Sequence, residues 1–219
     1  MNYLIVPPPA ELAPYVKYFG GYKMDHIHQN LQISTLVNDA SCFVVQHDNG
    51  RSAMMEGGQF IPFSMLYGMS TASKSNVPVS GFSAVAAVFH PHGIYELFGI
   101  DASELTDQEI FLDDFAGWNI TNHIISTPDL QQQVNILFDF LRARLKHTHG
   151  TDLLVKDSVL KIQQSKGILN VRDLVSYYNT SERKLQRRYK QTIGVSPRHF
   201  VKITHFREAM SLLKIQILN

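Results

Sequence analysis

Apolar and polar residues alternate with a period near two over the first ~90 positions and near 3.6 beyond them. Leu31, Ile33 and Thr35 alternate with Gln32 and Ser34, and Cys42, Phe43, Val44 and Val45 form a short apolar run. That run ends at Gln46-His47-Asp48-Asn49-Gly50, where Asn49-Gly50 predicts a tight turn because both residue types accept a positive φ. Gly57-Gly58 predicts a second break, and residues 60–67 and 79–89 predict further strands separated by the polar stretch 70–76. Short strands at this spacing predict a sandwich or barrel. Residues 11–19 are an exception: Leu12, Tyr15, Val16 and Phe19 recur at helical spacing and predict a helix.

After Phe89 the pattern becomes helical. Residues 91–98 predict a short helix that Gly99 ends. Residues 129–146 predict a longer one, with Leu130, Val134, Leu137, Leu141 and Leu145 on one face and Pro128 at its start. Lys146 and His147 suit its C-terminal dipole. This helix is expected to connect the two halves or to mediate dimerisation. Further on, Thr151 is the expected cap of a helix carrying Leu154, Val155, Val159 and Ile162, which Gly167 ends. Asn170 caps the next, with Asp173 in the capping-box position and Val171, Leu174 and Val175 as its apolar residues. Tyr178-Asn179-Thr180 makes a short turn. Ser181 caps a third helix ended by Gly194, and Ser196-Pro197 opens a fourth whose expected apolar face is Ile203, Phe206, Met210 and Leu213. The fold class expected is α+β: a β-rich, barrel or cupin-like part with helices, then an all-α part.

Composition is that of a globular protein, 219 residues with 44% apolar and 18% charged. No apolar run approaches the ~20 residues that a membrane-spanning helix needs. The N-terminus, Met1-Asn2-Tyr3-Leu4-Ile5-Val6-Pro7-Pro8-Pro9, lacks the basic start of a signal peptide, so a cytoplasmic location is expected. One cysteine, Cys42, excludes an internal disulfide framework and a multi-cysteine zinc site. The net charge of +1 hides an asymmetry: residues 1–150 carry 7 Lys+Arg against 14 Asp+Glu, and residues 151–219 carry 13 against 5. Two domains, 1–150 and 151–219, with different partners are expected, the second suited to a polyanion.

A short helix, a three-residue turn and a second helix have the spacing of a helix-turn-helix. On the helix that Ser181 opens, Leu185, Tyr189 and Ile193 fall on one side. Arg183, Gln186, Arg187 and Lys190 fall on the other. Arg makes bidentate bonds to guanine, Gln makes them to adenine, and Lys holds phosphate. Arg183, Gln186 and Arg187 are the candidates for reading base edges. Lys184, Lys190 and Arg198 are the candidates for phosphate.

The residues Val171-Arg172-Asp173-Leu174, Ser181, Leu185-Gln186-Arg187-Arg188-Tyr189-Lys190, Gly194-Val195-Ser196-Pro197 and Phe206-Arg207-Glu208-Ala209 resemble the first half of the DNA-binding domain of AraC-type (AraC/XylS) transcriptional regulators. The resemblance covers residues 167–214. Pro14-Tyr15-Val16, Phe89-His90-Pro91-His92-Gly93 and residues 101–115 also resemble the sensor region of one branch of that family. The resemblance implies a one-component, sequence-specific DNA-binding regulator that responds to a small-molecule effector and acts as a homodimer on double-stranded DNA. AraC-type domains carry two helix-turn-helix units joined by a long helix. Residues 196–214 correspond to that helix, and this sequence has no counterpart of the second recognition helix. Either a naturally truncated DNA-binding domain or a fragment of a longer protein is expected, and in both cases weak monomeric affinity, because fewer phosphates are held.

Other chemistry is sparse. Ten histidines include three His-x-His triplets, His26/His28, His90/His92 and His147/His149. On a strand such a pair shares a face and suits a cupin-like metal enzyme, the alternative reading, although further ligands are not apparent. Cys42, among apolar neighbours, reads as a small core residue. Gly81-Phe82-Ser83-Ala84-Val85 lacks the last glycine of a nucleophile elbow, and there is no P-loop or dinucleotide fingerprint. No enzyme activity, metal or cofactor is expected. A third reading is a dimerisation protein that no longer binds DNA.

Overall fold

The computed structural model describes residues 2–24, 33–35, 40–72, 74–78, 81–111 and 119–217. The chain is α+β: the described residues form two antiparallel sheets before residue 112 and seven α-helices, six of them after the last strand. The first sheet has six strands in the order β1 (Asn2–Val6), β2 (Val16–Met24), β9 (Phe82–Phe89), β4 (Cys42–His47), β7 (Ser64–Tyr67) and β10 (Glu109–Phe111). The second has four: β3 (Ile33–Thr35), β8 (Lys74–Pro78), β5 (Met54–Glu56) and β6 (Gln59–Phe60).

Period-two alternation gives the large sheet two apolar faces. Phe19, Phe43, Val45, Leu66, Val85, Ala87 and Phe89 point to one side and pack under α1 (Gly93–Phe98), α2 (Ile120–Ser126) and α3 (Leu130–Arg144). Met65, Phe82, Tyr22, Tyr67 and Ala84 point to the other side, toward Met54 and Ile61. The Asn49-Gly50 turn is formed with φ of 48° and 81°, and Gly57-Gly58 makes the β5–β6 hairpin with φ of 56° and 83°. On α3, Val134, Leu137 and Leu141 are buried at the expected spacing, and Asp129 caps it by accepting from the Gln132 amide at 2.8 Å.

Four expectations are corrected. First, the described strands form two open sheets and no closed barrel: β1 and β10 are separate edges of the large sheet, whose inner face is covered by helices instead. Second, residues 11–19 are not a helix. The Leu12 and Ala13 amides bond Pro9 O in a turn, and β2 starts at Val16. A bulge between Val16 and Tyr18 shifts the register, so Val16 and Phe19 are buried together at a spacing of three that imitates a helix. Third, the run 60–67 is split into β6 and β7, and the polar stretch 70–76 contains most of β8. Fourth, the cap of α4 (Leu153–Gln164) is Asp152 rather than Thr151, its carboxylate accepting from the Val155 amide at 3.0 Å. His26, His28, Leu31 and Gln32 lie outside the described residues.

The remaining helices are α5 (Val171–Tyr177), α6 (Glu182–Ile193) and α7 (Pro197–Ile217). They build a second core from Val155, Val159, Ile162, Val171, Leu174, Leu185, Tyr189, Ile193, Phe200 and Ile203. One buried residue of that core, Met69, comes from the loop after β7. Of the expected apolar face of α7, Ile203 is buried, whereas Phe206 and Leu213 are about half exposed, because only the first turns of α7 rest on α4 and α6.

Candidate functional site

The candidate side chains sit on α6, whose ends are fixed locally. Ser181 Oγ accepts from the Lys184 amide at 3.2 Å, and Gly194 at φ 96° returns its N–H to Lys190 O at 2.9 Å. The left-handed φ suits glycine, and space demands it too: a Cβ there would lie 2.5 Å from Thr106 Oγ1.

The inner face of α6 is locked. Leu185 and Tyr189 are fully buried, and Tyr189 Oη meets buried Ser158 Oγ at 2.7 Å. Burial pushes the Tyr189 phenol well above its ordinary range, so it stays neutral. Arg188 forms a bidentate ion pair with Asp152, the same carboxylate that caps α4, and both are largely buried. Arg188 is thereby occupied in joining α6 to α4.

The outer face is free of such ties. Arg183, Lys184, Gln186, Arg187 and Lys190 are all exposed and line one cleft of about 780 Å³, together with Ser181, Gln191 and Asp101. Five of the six side chains singled out from sequence thus meet in one place. The sixth, Arg198, lies in an adjoining cavity of about 140 Å³ that shares Gln186, and pairs with Glu182 at 2.7 Å. Sequence reasoning passed over Gln191, although its spacing of four from Arg187 puts it on the same face. Asp101 carried no sequence signal: it is contributed by the one-turn 3₁₀ segment Ala102–Glu104, whose N-cap it is.

Of the His-x-His triplets, His90/His92 and His147/His149 lie among the described residues, and neither gathers further ligands there. His90 and His92 stack with centroids 5.9 Å apart, and His92 Nε2 donates to Pro14 O at 3.1 Å. Burial, with Lys156 nearby, depresses His92 to about 4, so the ring is neutral. Among the described residues no group of three His, Cys, Asp or Glu is arranged to hold a metal ion. Burial pushes the Cys42 thiol up to about 12, which leaves it unreactive at neutral pH. No helix among the described residues is long and apolar enough to cross a membrane.

Residues 5–111 match the model of a domain of unknown function, DUF6597. The match spans the two sheets and stops short of α2 and of every residue on α6. No curated protein matches the chain, and no solved structure does.

Proposed function

We propose that this chain is a cytoplasmic, non-enzymatic transcriptional regulator of AraC type that binds double-stranded DNA through α6. The observation that carries the reading is the division of α6 into a locked apolar face and an exposed stripe of Arg183, Gln186, Arg187 and Lys190 opening on a cleft. A rigid helix with that stripe can present bidentate donors to base edges while flanking cations neutralise phosphate. Arg183, Gln186 and Arg187 read bases, and Lys184, Lys190 and Arg198 hold phosphate. The sheet unit senses a small-molecule effector and brings two copies together, because one recognition helix reads only a few base pairs and useful affinity needs half-sites about one turn, ~34 Å, apart. Sedimentation at tens of micromolar tests the second part, a monomer being the adverse result.

The direct test is a titration of the full chain against a duplex selected from a random pool, and against random duplex, at several salt concentrations. Gln186→Ala costs about 1–3 kcal/mol on the selected duplex and little on the random one. Lys190→Ala weakens both alike and reduces the salt slope by about one unit. Indifference of binding to all of the α6 substitutions would overturn the assignment.

A further inference from the structure

One carboxylate, that of Asp101, lines the cleft over α6. Asp101 faces the cations of the stripe, and exposed Ser103 and Glu104 follow it in the 3₁₀ segment that lies against α6. The contact is tight and specific. Thr106 Oγ1 donates to Gly194 O at 2.9 Å, at the C-terminal end of α6, and a Cβ on Gly194 would lie 2.7 Å from Ala102 O. The same segment is braced to a second contact: Asp107 accepts from the Thr71 amide at 2.7 Å and donates its own amide to Met69 O at 3.1 Å, while the Met69 side chain is buried in the helical core. Gly68 allows the close approach, since a Cβ there would sit 2.1 Å from Leu105 O.

We infer that Met69 and residues 99–108 form a latch that holds the C-terminal half of α6 against the sheet unit, so that DNA must release the latch to seat the helix fully. This deepens the DNA-binding reading and rests on it. An α-helix with its side chains is ~10–12 Å across and fills a major groove ~12 Å wide, so a second segment packed against the C-terminal end of that helix, beside the stripe, meets the flanking phosphates. That segment carries the carboxylate of Asp101, which lines the cleft with Arg187 and Lys190, and the exposed carboxylate of Glu104 three residues on, and both repel phosphate. A signal that moves residues 99–108 by a few ångströms then changes DNA affinity without touching α6.

The test uses the full chain and a random-sequence duplex at low salt, with folding checked by thermal melting. The paired substitutions Asp101→Asn and Glu104→Gln, which keep the 3₁₀ cap, tighten binding on the order of tenfold, the effect of removing about two like charges beside phosphate. Thr106→Val, which removes the bond to Gly194, also tightens it. Hydrogen exchange of amides 99–108 accelerates when duplex is bound, while α6 becomes protected. If Lys190→Ala weakens binding but the latch variants and the exchange of 99–108 are unchanged, the latch is overturned and DNA binding by α6 stands. If neither the wild type nor the released variants bind any duplex, the DNA reading fails and takes the latch with it.

Discussion

The sheet unit and the helical unit bury polar side chains on different terms. In the helical unit Ser158 bonds both Tyr189 and Val155 O, Thr204 donates to Phe200 O, and Asp152 serves α4 and Arg188 at once. In the sheet unit Gln46 is equally well served, by Ser52, Pro62 O and the Ala53 amide. Yet Ser41 Oγ, His47 Nδ1, His92 Nδ1 and Gln133 Oε1 are buried without a hydrogen bond. Each such atom costs about 1–3 kcal/mol relative to a satisfied one. Two of them, His47 and Gln133, meet where β4 touches α3, and His92 caps the start of α1 close to Lys156 of α4. In the helical unit Thr180 Oγ1 is the one buried side-chain atom left without a partner among the described residues, so the unmet groups are concentrated in the sheet unit and its covering helices without being confined to them.

Substitutions can break this contrast. The largest effect is expected from Phe200→Ala, a fully buried ring against Tyr189, at about 4 kcal/mol of stability in denaturant titration. If the helical unit were loosely packed, the loss would be much smaller. His92 supplies the next largest effect, through pH. Its folded value of about 4 lies below the ordinary 6.5, so its contribution is complete above 6.5 and is lost as pH falls toward 4, worth roughly 3 kcal/mol at most. His92→Gln should flatten unfolding measurements across that window. Glu96 runs the other way: burial raises its carboxyl above 4.5, so its penalty is absent below that pH and grows as pH rises. Glu96→Gln should stabilise the protein at neutral pH and make no difference in acid. Met69→Ala tests whether the helical core depends on the sheet unit; about 2 kcal/mol is expected, read as lost exchange protection in α4 and α6. Smallest is Arg142→Ala, whose pairs with Glu11 and Asp139 are exposed, at under about 1 kcal/mol.

The candidate site was legible because nearly all of it comes from one helix. Ser181 and Gly194 mark the ends of α6, and a 3.6-residue period then separates Leu185 and Tyr189 from Arg183, Gln186 and Lys190. Local rules also found the Asn49-Gly50 turn and the Asn170 cap of α5. They failed where distant segments decide. Asp101 reaches the stripe from some 80 positions away, and Met69 joins a core built by helices after residue 151. A single bulge made residues 16–19 look helical, and Phe206 fits an apolar period on α7 but has no opposite layer to bury it.

Gly21 offers a mechanical reading of how the two layers communicate. A Cβ there would lie 2.8 Å from Leu130 Cγ, so the missing side chain is a notch in β2 that seats the first turn of α3. The last turn of α3 is pinned differently, by Arg144 donating through Nε and a terminal nitrogen to Leu97 O at 3.3 and 3.2 Å, at the end of α1. A helix of 15 residues seated at one end and tied at the other behaves as a stiff rod about 22 Å long. A side chain at Gly21 would push on Leu130 at one end of the rod, and α1, to which the other end is tied, also packs on α6. Gly21 and Arg144 thus mark the two ends of one rod laid between an inner strand and α1.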